Sequence, residues 1–184
     1  MVNFKEYFIE QIKNFNECHS NLLIKVAKND IHKLRTTIKK LRTCNNILDS
    51  LLLEEKYFPI EIYDLFKSTG EIRDIQIQQG ILEGYNDSYR VHLYVQSYKL
   101  SQFKIKEDFQ EELKYLNDKL NKVEDYQIHE QIVENIRNRI SFFYEEVREM
   151  IKDASSENLH DIRKKIKKIY YTLLLLGEEK DEKL

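Results

Sequence analysis

Residues 31–42 read Ile-His-Lys-Leu-Arg-Thr-Thr-Ile-Lys-Lys-Leu-Arg, and residues 159–170 read Leu-His-Asp-Ile-Arg-Lys-Lys-Ile-Lys-Lys-Ile-Tyr. When the two stretches are aligned, a histidine, an arginine, a lysine pair and the apolar positions coincide. The matched polar residues are His32 with His160, Arg35 with Arg163, Lys39 with Lys167, and Lys40 with Lys168. Internal similarity of this kind indicates a repeated structural element. The sequence therefore predicts two related helices around which the rest of the chain is organised.

Each copy of the motif combines an apolar stripe with a cationic one. At 100° per residue, the apolar stripe of the first copy must face a core; it consists of Ile31, Leu34, Ile38 and Leu41. The stripe beside it carries His32, Arg35, Lys39 and Arg42. The second copy repeats this arrangement with His160, Arg163 and Lys167, and has Lys164 and Lys168 to one side. The cationic groups are therefore predicted to border the packed face of each helix.

Both histidines are predicted to lie near the start of a helix. Asp30 is a suitable N-cap before Ile31, and Ser155 or Ser156 is suitable before Leu159. The first turn of a helix has unpaired N–H groups and a positive dipole end, both of which favour an anion. A cationic stripe that starts there suits a chain of phosphates better than a single carboxylate.

The distribution of charge supports a local anion site. The chain has 184 residues and a formal net charge of -2. Residues 31–42 carry five bases and no acid, and residues 159–170 carry five bases and one acid, so the remainder of the chain must carry -11. Positive charge concentrated in two places on an otherwise acidic chain disfavours a surface that coats nucleic acid. The competing interpretation is that the cationic residues form ordinary solvated helix faces.

Composition favours a helical protein. The chain has four Gly and one Pro, and 34% of its residues are charged. Apolar periodicity predicts six helices, over residues 3–28, 31–54, 60–84, 88–121, 125–153 and 157–176, and no strand signal stands out. We expect one domain over residues 1–184, with a first half 1–86, a second half 87–177 and a charged tail 178–184.

Several classes of function are disfavoured by what the sequence does not contain. It has no phosphate-binding glycine loop, no HExxH, no nucleophile in a recognisable context and no metal-ligand spacing, so we expect no catalytic residues, no metal and no cofactor. It has no signal peptide and no apolar run of membrane length, so we expect a cytoplasmic protein without membrane association. We expect His19 to lie in the core and Arg73-Asp74 to form an exposed pair. Arg137, Arg139 and Arg148 are expected on a solvated helix face.

The paired motif resembles that of the CHAD family, the conserved-histidine α-helical domain. That family has His, Arg at +3, a basic pair at +7 and +8 and a base at +10, once in each half. The first copy matches fully as His32, Arg35, Lys39, Lys40 and Arg42, and the second matches as His160, Arg163, Lys167 and Lys168. The family's Gly followed by Arg-Asp corresponds to Gly70, Arg73 and Asp74, and its Tyr at +11 of the second copy corresponds to Tyr171.

Two features depart from the family pattern. The +10 base of the second copy is replaced by Tyr170. The family also usually continues with further helices after its second motif, and this chain does not. The exposed faces of the last helix are then expected to be covered in a homodimer.

The resemblance implies an antiparallel helical bundle with a pseudo-twofold internal repeat and a basic groove. It also implies binding of inorganic polyphosphate, association with polyphosphate granules in some relatives, and no catalytic activity here. The site residues that follow are His32, Arg35, Lys39, Lys40, Arg42, Arg73, His160, Arg163, Lys164, Lys167 and Lys168. Two alternatives remain open: a helical module that binds an acidic protein partner, and, less favoured, an enzyme that processes phosphates.

Overall fold

A computed structural model describes residues 4–82, 105–123, 125–152 and 158–174. These residues form six helices and no strand. The helices are α1 (Phe4–Ile24), α2 (Lys28–Leu51), α3 (Ile60–Leu82), α4 (Gln110–Asn121), α5 (Asp125–Lys152) and α6 (Leu159–Leu174). The prediction of an all-α fold of about six helices is therefore confirmed, whereas the pseudo-twofold relation between two halves stays a prediction.

The chain divides into two compact units. Unit 1 contains Met1–Gln11, Lys39–Tyr57 and Tyr115–Leu184, and unit 2 contains Ile12–Ile38 and Phe58–Lys114. The first motif copy is therefore shared, because His32 and Arg35 belong to unit 2 whereas Lys39, Lys40 and Arg42 belong to unit 1. The second copy lies wholly in unit 1. The boundary that we predicted at residues 86 and 87 falls outside the described residues.

Each unit has its own apolar core. The fully buried side chains of unit 1 include Phe8, Leu41, Ile47, Leu48 and Leu116. Those of unit 2 include Phe15, Ile31, Leu34, Ile38 and Ile62. The apolar stripe of the first motif copy is thus buried along its whole length, as its spacing predicts.

The segment before α4 differs from the long helix predicted over residues 88–121. Residues 105–109 are not helical. The side chain of Asp108 accepts a hydrogen bond from the N–H of Gln110 at 2.9 Å and so caps the start of α4. The Nε2–H of His19 donates to the carbonyl oxygen of Lys106 at 2.7 Å, so that oxygen is engaged outside any helix. Residues 88–104 of the predicted helix lie outside the described residues.

His19 belongs to the core of unit 2, as predicted. Its ring is buried and lies edge-on to Phe109, with centroids 5.1 Å apart. Phe15 makes a similar edge contact with Phe109 at 5.5 Å. This cluster connects α1 with the start of α4.

The end of α2 has an unusual backbone conformation. The N–H of Glu54 donates to the carbonyl oxygen of Asp49 at 3.0 Å, a bond typical of a helix C-terminus closed by a left-handed residue. Leu53 occupies that position with φ of 53°. The side chain of Leu53 is exposed, so the position contributes no packing in return for the strained backbone.

Candidate functional site

Arg35 is held against α3 in unit 2. Its Nη1 donates a hydrogen bond to the carbonyl oxygen of Phe66, and its Cζ lies 4.1 Å from the centroid of the Phe66 ring. Gly70 makes this approach possible, because a Cβ at that position would lie 2.7 Å from Nη1 and 3.3 Å from Cζ of Arg35. The sequence predicts that Arg35 contacts phosphate. In the structure, part of its guanidinium contacts helix α3 instead.

Arg73 lies on the same helix, three residues after Gly70. Its Nη1 is buried and has no hydrogen-bond partner. Burial is the largest influence on Arg35 and lowers its pKa; Asp74 opposes this effect and Arg73 adds to it. The two guanidinium groups therefore lie close enough to repel each other. Arg73 is half-buried whereas Asp74 is exposed, so the interpretation of Arg73-Asp74 as an ordinary exposed pair was wrong for Arg73.

The two histidines occupy different positions relative to their helix starts. Helix α2 begins at Lys28, and the N–H of Ile31 already donates to the carbonyl oxygen of Ala27 at 3.1 Å. His32 therefore lies beyond the unpaired first turn, and the prediction of Asp30 as an N-cap was wrong because Asp30 lies inside the helix. His160 is the second residue of α6 and keeps the predicted place in the first turn. Both imidazoles are exposed. The predicted caps Ser155 and Ser156 lie outside the described residues.

The rest of the first copy lies in unit 1. Lys39 and Lys40 are half-buried, and Arg42 is exposed. The Nζ of Lys40 lies 5.8 Å from the centroid of the Tyr7 ring, which is within the range of a cation–π contact. The ammonium group of Lys40 therefore faces an aromatic ring of α1.

The second copy presents most of its cations to solvent. The side chains of His160, Arg163, Lys164, Lys167 and Lys168 are all exposed. Lys164 pairs with Asp161 at 2.9 Å, and this hydrogen bond lowers the pKa of Asp161. No described residue forms an ion pair with Arg163 or Lys167. Helix α6 therefore carries uncompensated positive charge.

Contacts between α5 and α6 fix the orientation of the second copy. Lys165 is half-buried and pairs with Glu146 of α5 at 2.6 Å. The Nζ of Lys168 lies 5.6 Å from the centroid of the Phe143 ring, also on α5. Ile162, one turn before Lys165, is buried. The exposed cations of α6 are thus carried on a helix that packs closely along α5.

Sequence reasoning missed the special position of Arg139. It is half-buried, its Nη1 donates to the carbonyl oxygen of Asn46 at 3.1 Å, and burial lowers its pKa. The interpretation of Arg139 as part of a solvated face was therefore wrong. A signal was present, because Arg139 falls at helical spacing between Ile136 and Phe143, within the apolar stripe of α5.

The part of the chain that the structure describes contains no cluster of three or more His, Cys, Asp or Glu side chains that could hold a metal ion. Within the same residues, none of the helices combines the length and the apolar character that crossing a bilayer requires. The motif residues themselves supply hydrogen-bond donors on cationic side chains, which bind and orient oxyanions.

Comparison with known proteins identifies a family. The family model described as the CHAD domain matches residues 6–183, which is nearly the whole chain. The comparisons with curated proteins and with solved structures gave no significant match.

Proposed function

Since the chain belongs to the CHAD domain family, we propose that it binds inorganic polyphosphate through the cationic side chains of both motif copies and does not alter it chemically. Some members of the family bind polyphosphate or triphosphate. The proposed contacts are those of His32, Arg35, Lys39, Lys40, Arg42, Arg73, His160, Arg163, Lys164, Lys167 and Lys168. The lysines of both copies would contact a phosphate as point charges, whereas the arginines can form two parallel hydrogen bonds to it.

The observation that carries this proposal is the buried Nη1 of Arg73. A charged donor removed from water without an acceptor is costly, typically about 1–3 kcal/mol or more. The nearby charge of Arg35 adds repulsion. An anionic oxygen beside Arg73 would supply the missing acceptor and offset the repulsion between the two guanidinium groups.

Arg73→Gln tests the role of this residue. Because its Nη1 has no partner in the free protein, we expect the substitution to leave the free energy of unfolding unchanged or to raise it, while weakening polyphosphate binding about tenfold. Calorimetric titration and urea denaturation of the same variant provide the two readouts. A variant that loses stability and binding together would show that Arg73 is structural.

Arg163→Gln tests the second copy, with Arg137→Gln as its matched control. Both arginines are exposed, and no described residue pairs with either of them. We expect Arg163→Gln to weaken polyphosphate binding about tenfold, and Arg137→Gln to leave it nearly unchanged. By analogy with other polyanions, affinity should fall steeply between low and high salt. Equal effects of the two substitutions, or a flat salt response, would contradict the proposed site.

The absence of catalysis and the exclusion of nucleic acid belong to this proposal and have their own tests. Release of phosphate from polyphosphate with Mg²⁺ or Mn²⁺ would favour the phosphate-processing alternative. Equal affinity for single-stranded nucleic acid would show that the site binds any polyanion.

We also propose a cytoplasmic location, because Cys18 and Cys44 are free thiols, as is usual in a reducing compartment. Association with polyphosphate granules is tested by imaging the tagged protein in cells that store the polymer.

A protein-binding function is favoured by one feature of α6. Leu159 and Ile166 are 56% and 49% exposed, whereas the matching residues of the first copy, Ile31 and Ile38, are 0% and 2% exposed. An apolar stripe beside the exposed cations Arg163 and Lys167 suits an amphipathic helix with acidic flanks. Two copies of α6 would repel each other, so an acidic partner is favoured over a homodimer.

Two measurements separate these interpretations of α6. Titration of an acidic amphipathic helical peptide into wild type and Ile166→Asp should show binding that the substitution removes. Sedimentation of the protein alone measures whether it forms a dimer, which would indicate that a second copy covers the apolar stripe of α6. If the peptide binds and polyphosphate does not, the protein-binding interpretation replaces the proposal above.

A further inference from the structure

Unit 1 contains a cavity that neither motif copy accounts for. Its volume is about 350 Å³, and it is lined by Ser50, Lys56, Asn138, Arg139, Phe142 and Phe143. The lining comes from α2, from the segment after it and from α5. Its size falls within the range of small-molecule sites.

The charges around the cavity favour an anion. Lys56 and Arg139 both contribute to the lining, and no carboxylate does. The described residues give the Arg139 guanidinium one hydrogen bond, from Nη1 to the carbonyl oxygen of Asn46. A guanidinium has five N–H donors, so most of its capacity remains available. The negative charge of Asp49 stabilises the charged form of Arg139. The two carboxylate oxygens of Asp49, however, already accept hydrogen bonds from Asn45 and Lys119.

The aromatic part of the lining favours a planar ring. Phe142 is 61% exposed, although it lies in the middle of a helix with a buried face. Its ring meets that of Phe143 with centroids 5.8 Å apart and planes at 62°, so the two form a corner. Exposed ring faces are platforms on which nucleic-acid bases stack. A purely inorganic phosphate uses the cations of the cavity and leaves the exposed ring of Phe142 uncovered.

We propose that this cavity is a site for a nucleoside monophosphate, whose base stacks on Phe142 and whose phosphate contacts Lys56 and Arg139. The hydroxyl of Ser50 and the amide of Asn138 supply hydrogen bonds for the sugar or the base edge. The proposal does not rest on polyphosphate binding. The two sites are neighbours nonetheless, because the ring of Phe143 borders the cavity and also lies under Lys168 of the second motif copy.

The test uses the full chain and four probes: AMP, adenosine, ribose 5-phosphate and inorganic phosphate. Calorimetry should show that AMP binds at least tenfold more tightly than ribose 5-phosphate, which lacks the base, and than adenosine, which lacks the phosphate. Phe142→Ala should weaken AMP binding about tenfold and leave ribose 5-phosphate unaffected. Lys56→Ala should weaken the binding of all three phosphate-bearing probes.

Tyr144→Ala provides the matched control. Tyr144 is 60% exposed on the same helix and does not line the cavity, so we expect AMP affinity to be unchanged. Equal affinities for AMP and ribose 5-phosphate, equal effects of Phe142→Ala and Tyr144→Ala, or no AMP binding at millimolar concentration would each overturn the proposal. Because Phe142 and Tyr144 are both exposed, circular dichroism should find both variants folded.

A parallel titration with polyphosphate keeps the two proposals separate. Phe142→Ala should retain polyphosphate affinity, and Arg73→Gln should retain AMP affinity. If the wild-type protein binds polyphosphate but not AMP, only the cavity site is overturned. If it binds AMP but not polyphosphate, only the proposed function is overturned.

Discussion

At the scale of single residues, the structure explains why a glycine stands in the middle of α3. Gly normally costs a helix about 1 kcal/mol relative to Ala. Alanine would not fit at position 70, because the guanidinium of Arg35 occupies the space where its Cβ would lie. The glycine is therefore a consequence of the arginine, and the two positions should behave as a coupled pair.

A double-mutant cycle tests this coupling. In the Arg35→Ala background we expect Gly70→Ala to raise the free energy of unfolding by about 1 kcal/mol, because only the helix propensity changes. In the wild-type background the same substitution should give no gain, because it displaces the guanidinium from Phe66. Urea denaturation of the four proteins measures the difference. Additive effects would show that Gly70 and Arg35 do not depend on each other.

Leu53 offers a simpler test at the same scale. An L-residue in the left-handed region costs about 1–2 kcal/mol, and Gly does not have this cost. We therefore expect Leu53→Gly to raise the free energy of unfolding by about 1 kcal/mol, since the exposed side chain contributes little. Leu53→Ala keeps the strain and serves as the control in thermal denaturation. A loss of stability in Leu53→Gly would mean that the leucine side chain stabilises the fold.

At the scale of elements, a buried ion pair connects α4 to α2 in unit 1. Lys119 and Asp49 are each 1% exposed and hydrogen-bond to each other. Burial is the largest influence on Lys119 and acts to lower its pKa, but the hydrogen bond and the charge of Asp49, together with Tyr115, outweigh burial and the pKa is raised. Asn45 also donates to Asp49, at 3.0 Å, and to the carbonyl oxygen of Tyr57, at 2.6 Å. This network fixes how α4 lies against the end of α2.

Removing one partner of this pair should be costly. Lys119→Met leaves the carboxylate of Asp49 buried without its cation, and we expect a loss of about 3–5 kcal/mol in the free energy of unfolding. The double variant Lys119→Met with Asp49→Asn removes both charges, so it should be more stable than Lys119→Met alone. Chemical denaturation measures both. If the double variant is as unstable as the sum of the single ones, the two charges do not interact.

Periodicity predicted these elements well where one helix face is apolar. The buried stripe of α2 and the course of α5 follow from the spacing of Ile, Leu and Val. The predicted helix over residues 88–121 was wrong at residues 105–109, because the bond between His19 and Lys106 joins residues far apart in sequence and no local pattern reveals it. The sequence predicts Arg35 and Arg73 as site residues, and this stays a prediction. The contact between Arg35 and α3 joins residues 31 apart, so local spacing does not reveal it either.

At the scale of the whole molecule, the buried cysteines make stability depend on pH. Burial raises the pKa of Cys44 far above its ordinary value and also raises that of Cys18. An unfolded thiol loses its proton near pH 8.5, whereas the folded protein keeps it. The unfolded state then binds fewer protons than the native state, so stability falls as pH rises above about 8.5.

Cys44→Ala isolates this effect. The substitution leaves a small cavity and lowers stability at neutral pH, but it removes one thiol from the titration. We expect the decline in the free energy of unfolding between pH 8 and pH 10 to be less steep than in the wild type, by up to about 1.4 kcal/mol per pH unit. Urea denaturation across this range is the measurement. Parallel declines in the two proteins would mean that Cys44 ionises equally in both states.

The bond between His19 and the carbonyl of Lys106 also has a kinetic consequence. Its partners are 87 residues apart, so the Phe109 cluster of unit 2 forms only after a long loop of chain has closed. Closing a loop of this length lowers the entropy of the chain before the contacts that compensate for it have formed. Proteins whose contacts are on average distant in sequence fold slowly. Helices α5 and α6, which follow each other directly, face no such delay. During refolding we therefore expect α5 and α6 to pair before the ring of His19 is buried.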